Sequence, residues 1–140
     1  AKIESEDTAF IIFKFKGKKT GIMEATTAMR PKNVEGSFSL MGNKGSAKIG
    51  GFALNEFTYY NLDSPIDKKK YKTNPENVYG NGNIKFYEHF LKSMKSKKKS
   101  EFECVEAIKT VKLINAIYKS IELKKEIFMN SNITSERLGN

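Results

Sequence analysis

The chain has 140 residues, 39% of them apolar and 29% charged, and a net charge of +9. These values describe one soluble globular domain that buries about two-thirds of the surface its unfolded form exposes. They exclude a membrane-spanning helix, because no run approaches the roughly 20 apolar residues a span requires. The only cysteine is Cys104, so no internal disulfide can form. The polar start, Ala1 to Asp7, lacks the apolar core of a signal peptide, and with the lone cysteine this points to the cytoplasm.

All but two of the 25 basic residues are lysines; the arginines are Arg30 and Arg137. Base edges and phosphates are read best by the bidentate arginine fork, so this balance argues against specific nucleic-acid reading. The lysine clusters, Lys18-Lys19, Lys68-Lys69-Lys70 and Lys97-Lys98-Lys99, each fall in a predicted turn or loop. Solvated loops account for them.

Residues 9–15 are apolar on both faces until Lys14, as in an interior strand. Gly17-Lys18-Lys19 reads as a hairpin turn, and 20–27 as the returning strand. A short connection through Arg30-Pro31 leads into residues 34–55. There Val34, Gly36, Phe38 and Leu40 alternate with Glu35, Ser37, Ser39 and Met41. Gly42-Asn43-Lys44-Gly45 reverses the chain, Ala47 and Ile49 resume the alternation, and Gly50-Gly51 breaks it. A fifth strand, 54–62, carries Phe57, Tyr59 and Tyr60. Connections this short predict antiparallel neighbours, since parallel crossovers need about a dozen residues.

Residues 63–83 have loop chemistry, with Asp63-Ser64-Pro65, the lysine run, Asn74-Pro75 and Gly80-Asn81-Gly82-Asn83. A loop of this length inside a compact domain marks function or mobility. Two helices follow. The first, 84–97, has Ile84, Tyr87, Leu91 and Met94 on one face and Asn83 as its expected N-cap. The second, 104–124, carries Ile108, Val111, Ile114, Ile117, Tyr118 and Ile121 as a wide apolar stripe. Strands followed by helices predict an α+β fold: a mostly antiparallel, open, five-stranded sheet with helices packed on one face. The other face is then left for another domain or subunit.

Little in the chain is arranged for chemistry. Gly80-Asn81-Gly82 supplies two glycines of a phosphate cradle, but Lys85 stands at the third position and no strand precedes it. His89 is the only histidine, so metal clusters and His-based relays lack a second member; a solvated or helix-packing role is expected. Cys104 reads as a small residue at a helix start. Glu24, Arg30 and Asn33 form a polar group at the exit of the second strand. Arg30 there either holds a carboxylate or phosphate, caps its loop, or pairs with Glu24 or Glu35. Tyr59, Tyr60, Tyr71, Tyr79 and Tyr87 gather around the long loop, as a stacking surface or as the rim of a core.

Several segments, in order, resemble a known family. Glu24-Ala25-Thr26-Thr27, Glu35-Gly36-Ser37-Phe38-Ser39, Gly42-x-x-Gly45-Ser46 and Ile49-Gly50-Gly51 look like the C-terminal domain of Gfo/Idh/MocA-type oxidoreductases. Tyr79-Gly80-Asn81-Gly82-Asn83-Ile84-x-Phe86-Tyr87 and Asn115-Ala116-Ile117-Tyr118-Lys119-Ser120 continue the likeness. The branch it is most similar to acts on nucleotide sugars, such as UDP-N-acetylglucosamine-derived 3-dehydrogenases. Similar proteins often have His where this chain has Asn83.

The resemblance implies an N-terminal Rossmann domain that binds NAD or NADP, and a Glu-Lys-Pro motif that supplies a catalytic lysine. Neither occurs in these residues. Residues 1–140 are therefore expected to be a single domain, a fragment lacking that Rossmann domain, with no catalytic residue and no metal site. Alone it is expected to be inactive and to bind no cofactor. It would form one wall of the site for a sugar or nucleotide sugar and would build a homodimer or homotetramer through the open sheet face. Arg30 is the candidate for an anionic substrate group, with Asn81 and Asn83 as hydrogen-bonding candidates. The alternatives are a stand-alone basic α+β binding module for RNA or an acidic protein, and a purely structural assembly domain.

Overall fold

A computed structural model describes residues 6–32, 36–80, 82–96, 104–129 and 132–138. Asn33, Val34, Glu35, Asn81 and the Lys97–Lys99 cluster lie outside the described residues, so the expectations placed on them stand as they were. Among the described residues the elements are five strands, β1 (Thr8–Phe15), β2 (Lys19–Thr26), β3 (Phe38–Gly42), β4 (Gly45–Gly50) and β5 (Glu56–Leu62), and two helices, α1 (Gly82–Ser96) and α2 (Cys104–Leu123). A single 3-10 turn, Lys68–Tyr71, interrupts the long loop. The fold is α+β with antiparallel pairing, as the order of elements and the short connections predict.

The strands do not join into one ladder of five. β1 and β2 form a two-stranded sheet, and β3, β4 and β5 form a second, in that order. Short connections fix the antiparallel sense of neighbours but not whether successive hairpins continue one sheet. After β2 the Thr26 hydroxyl accepts from the Ala28 amide at 3.1 Å, and the chain leaves as a loop. β1 was expected as an interior strand, yet its ladder partner is β2. Its doubly apolar pattern instead reports two faces to be covered. Ala9, Ile11 and Phe13 are half-buried on one, while Phe10 and Ile12 stand 71% exposed on the other.

The second sheet follows its turns closely. Gly42 pairs with Gly45, so Asn43-Lys44 is the whole loop of the β3–β4 hairpin. β4 lies between two partners and is the best-covered strand. Gly51 and Leu54 take left-handed backbone angles, φ +88 and +53, and this turn starts β5 at Glu56 rather than at Leu54.

By internal contacts the chain divides into two compact units, residues 1–10 with 24–88 and residues 11–23 with 89–140. The first holds the three-stranded sheet and the long loop. In the second, the C-terminal half of α2 carries the cover: Ala116 is buried, with Ile117 and Tyr118 half-buried beside it. Both helices bear the predicted apolar stripes, but those of α1 (Ile84, Tyr87, Leu91, Met94) and of the start of α2 (Val105, Ile108, Val111) are exposed in this chain. α1 begins at Gly82, so Asn83 is inside its first turn and is not its N-cap. Asparagines flank Gly82 on both sides, and only the backbone distinguishes which of them precedes the helix.

Candidate functional site

The first unit builds its most organised surface where the long loop returns to β5. β5 carries a bulge: Ile49 faces Phe57 and Lys48 faces Tyr59, leaving Thr58 as the extra residue. A bulge reverses the alternation beyond it. Phe57 and Tyr60 therefore share a face, and their rings meet edge-on at 5.6 Å. Tyr71 closes on the same Phe57 ring, edge-on at 5.8 Å. Each such contact adds about 0.5–1.5 kcal/mol beyond the area it buries.

Polar contacts hold the same return. The Tyr60 hydroxyl donates to the Ser64 carbonyl at 2.8 Å, and Lys72 pairs with Glu56 at 2.7 Å. The Thr73 amide donates to the Asn55 carbonyl at 3.1 Å, while Asn55 Nδ2 donates to the Thr73 carbonyl at 2.6 Å. The partners 55/73, 56/72 and 57/71 run in opposite senses, so the loop lies antiparallel along the start of β5. Farther on, Asp67 caps the 3-10 turn through the Lys69 amide at 3.0 Å. Asn77 Oδ1 accepts from the Tyr79 amide at 3.0 Å, and Gly80 takes φ +59 immediately ahead of α1.

Among the candidate residues, Arg30 sits in the loop after β2. Its Nη1 donates to the Thr27 carbonyl at 3.0 Å and the Met29 carbonyl at 2.7 Å, which is the loop-capping arrangement. Asn83 is exposed in the first turn of α1. Arg30 and Asn83 share no hydrogen bond, and Asn81 lies outside the described residues. His89 is half-buried on α1, with Nε2 3.4 Å from the Ser93 hydroxyl one turn on, a contact within the helix. Of the tyrosines, Tyr60 and Tyr71 close the rim on Phe57. Tyr79, 80% exposed, and Tyr87 stand outside that cluster.

Sequence reasoning missed a second polar cluster, in the other unit. Glu122 Oε1 accepts from the Ser135 hydroxyl and from the amides of Glu136 and Arg137, at 2.9 and 3.0 Å. Lys119 lies 3.0 Å from the other carboxylate oxygen. Asn115 Oδ1 accepts the Ser135 amide at 3.0 Å, so one face of α2 clasps the segment that follows. The Ser135 hydroxyl is the main cause that holds the Glu122 carboxyl down to about 2. The Arg137 amide and Lys119 add to it against the opposing effect of burial. A serine two residues ahead of Arg137 was the only trace in the sequence, and its partner is 13 positions away.

Among the described residues no group of three or more His, Cys, Asp or Glu could hold a metal ion, and no helix is long and apolar enough to cross a membrane. The glycines do not fit a dinucleotide. Gly42 and Gly45 close a hairpin, and Gly80 and Gly82 lead into α1 from a loop, whereas a pyrophosphate cradle joins a strand to a helix.

Comparison with known proteins adds the following. Residues 1–129 match the model of an oxidoreductase family, the Gfo/Idh/MocA C-terminal alpha/beta domain. The fold is similar to the WlbA dehydrogenase of Bordetella pertussis, solved with NADH and UDP-GlcNAcA, at a TM-score of 0.80 and 25% identity over 89% of this chain. It is also similar to the WlbA dehydrogenase of Chromobacterium violaceum, in complex with the same two ligands, at 0.73 and 29% identity over 89% of this chain. The chain spans 37% and 35% of the length of these two proteins. No curated protein matches it.

Proposed function

The chain belongs to the Gfo/Idh/MocA oxidoreductase family through its C-terminal alpha/beta domain, and we propose that it is the substrate-side domain of an NAD(P)-dependent dehydrogenase of nucleotide sugars. The observation that carries this is the likeness in fold to two dehydrogenases that both hold NADH and UDP-GlcNAcA. The cofactor would be bound by a Rossmann domain of the same polypeptide, because the glycine turns of this chain do not form a cradle for it. Catalytic groups belong with that domain too, and the fragment alone is inactive on this reading.

Within this chain, Arg30 would face the anionic part of the substrate. Two carbonyls fix one end of its guanidinium at the β2 exit and so orient the group. Asn83, in the first turn of α1, would donate and accept hydrogen bonds to sugar hydroxyls, and Asn81 remains a second candidate for the same role. The uncovered apolar side chains support an assembly role: Phe10, Ile12, Ile22 and Met41 are 71–86% exposed. Large apolar side chains left uncovered in this way are commonly covered by another domain or subunit.

The reading is tested by incubating the intact protein with UDP-GlcNAcA and NAD, following the absorbance of the reduced nicotinamide. Turnover of the nucleotide sugar in preference to free N-acetylglucosamine and inositol is expected. Turnover of a free sugar or inositol alone would move the substrate class, and no reduction with any of them would overturn the proposal.

A further inference from the structure

The Asn55 side chain ties the β4–β5 turn to the returning loop. Its Oδ1 accepts from the Ala53 amide at 3.1 Å, which closes the turn on its own side. Its Nδ2 donates to the Thr73 carbonyl at 2.6 Å, and its main-chain oxygen takes the Thr73 amide at 3.1 Å. Thr73 is thereby held at both of its backbone polar groups by one half-buried residue. Eight residues, 74–81, lie between Thr73 and α1, and Asn77 keeps them turned: its Oδ1 accepts from the Tyr79 amide at 3.0 Å and its carbonyl from the Gly80 amide at 3.1 Å. Gly80 turns within van der Waals reach of Pro75, a Cβ on Gly80 meeting the Pro75 Cβ at 3.7 Å, and the helix starts at Gly82. The strap at Thr73 and these turns together lead the chain into the first turn of α1, where Asn83 stands.

We propose that Asn55 is a positioning residue: by strapping the loop at Thr73 it fixes the first turn of α1, and with it Asn83, for substrate. The functional half of this inference rests on the nucleotide-sugar reading above; the strap itself does not. Asn55 touches no reacting group and acts through the loop.

Two substitutions separate the halves of the amide. Asn55→Asp keeps the Oδ1 acceptor for the Ala53 amide but removes the Nδ2 donor and sets a carboxylate against the Thr73 carbonyl. Asn55→Ala removes both bonds. In the intact protein, amide exchange at Thr73 and through the loop to Gly80 is expected to quicken about tenfold in both variants. Exchange at Ala53 should quicken in Asn55→Ala alone. If the variants exchange like the parent at Thr73, the strap is refuted whatever the activity. In kinetics, both variants should raise KM for UDP-GlcNAcA severalfold and leave KM for NAD unchanged. A quickened loop with an unchanged KM for UDP-GlcNAcA would refute the positioning role. Should the parent protein fail to bind or oxidise UDP-GlcNAcA, the nucleotide-sugar reading and the positioning role both fall, while the exchange result still decides the strap.

Discussion

Gly45 is the position where backbone and sterics together leave least room. Its φ of +130 lies in a region that side-chain-bearing residues rarely occupy, and a Cβ there would run into the Asn61 carbonyl oxygen on β5 and lie 2.7 Å from Leu62 Cδ2. The obstacle is backbone of a paired strand, since Gly45 pairs with Leu62 and Ser46 with Asn61, so it cannot swing aside. Gly45→Ala is therefore charged with the conformational term, about 1–3 kcal/mol, and with overpacking of about 1–3 kcal/mol, giving a loss of about 2–6 kcal/mol. Gly17 provides the control. It also has a positive φ, +77, but nothing lies within 4 Å of its Cβ position, so Gly17→Ala carries only the conformational cost of about 1 kcal/mol. Urea unfolding followed by circular dichroism compares the two, and amide exchange locates the damage. Exchange should rise along β4 and β5 in Gly45→Ala and stay unchanged in α2. Equal losses for the two variants would refute the steric argument.

The Glu122 clasp gives a pH signature. A carboxyl whose folded pKa is lowered to about 2 contributes stability that is fully present above its ordinary value of 4.5 and is lost as pH falls through 2. The Glu122 side-chain carbon resonance should titrate near 2, and Ser135→Ala should raise that midpoint; titration near 4.5 in the parent would remove the clasp. Phe57→Ala takes away the shared ring of the aromatic trio and should cost about 2 kcal/mol in urea unfolding, with faster exchange at residues 64–73; a loss under about 0.5 kcal/mol would show that the rings merely lie near one another. Arg30→Ala in the intact enzyme should raise KM for UDP-GlcNAcA about tenfold with KM for NAD unchanged. Equal effects on both constants would reduce Arg30 to a loop cap.

What the sequence made legible was local. The Asn43-Lys44 turn, the Gly50-Gly51 break and the start of α2 at Cys104 depend on residues within a few positions, and alternation with helical spacing identified every strand and both helices. The family resemblance rested on the order of those same segments. The bulge at Thr58 was not legible, because a bulge is a property of two strands and depends on which residue of β4 lies opposite. For the same reason Phe57 and Tyr60 did not read as neighbours. The Asn55–Thr73 strap ends on a backbone carbonyl that every residue carries, 18 positions away, and the Glu122–Ser135 clasp joins a carboxylate to a hydroxyl 13 positions on. Composition gives no sign of either. The start of α1 was missed by two residues because asparagines stand on both sides of Gly82.

The central claim is that this domain supplies part of the nucleotide-sugar site. It is tested most directly by titrating UDP-GlcNAcA into the isotope-labelled intact protein and mapping the amide shifts onto this chain. The account predicts saturable shifts at Arg30 and at Asn83 with the first turn of α1, and none along the start of α2. Saturable binding that leaves every amide of residues 24–88 unmoved would contradict it.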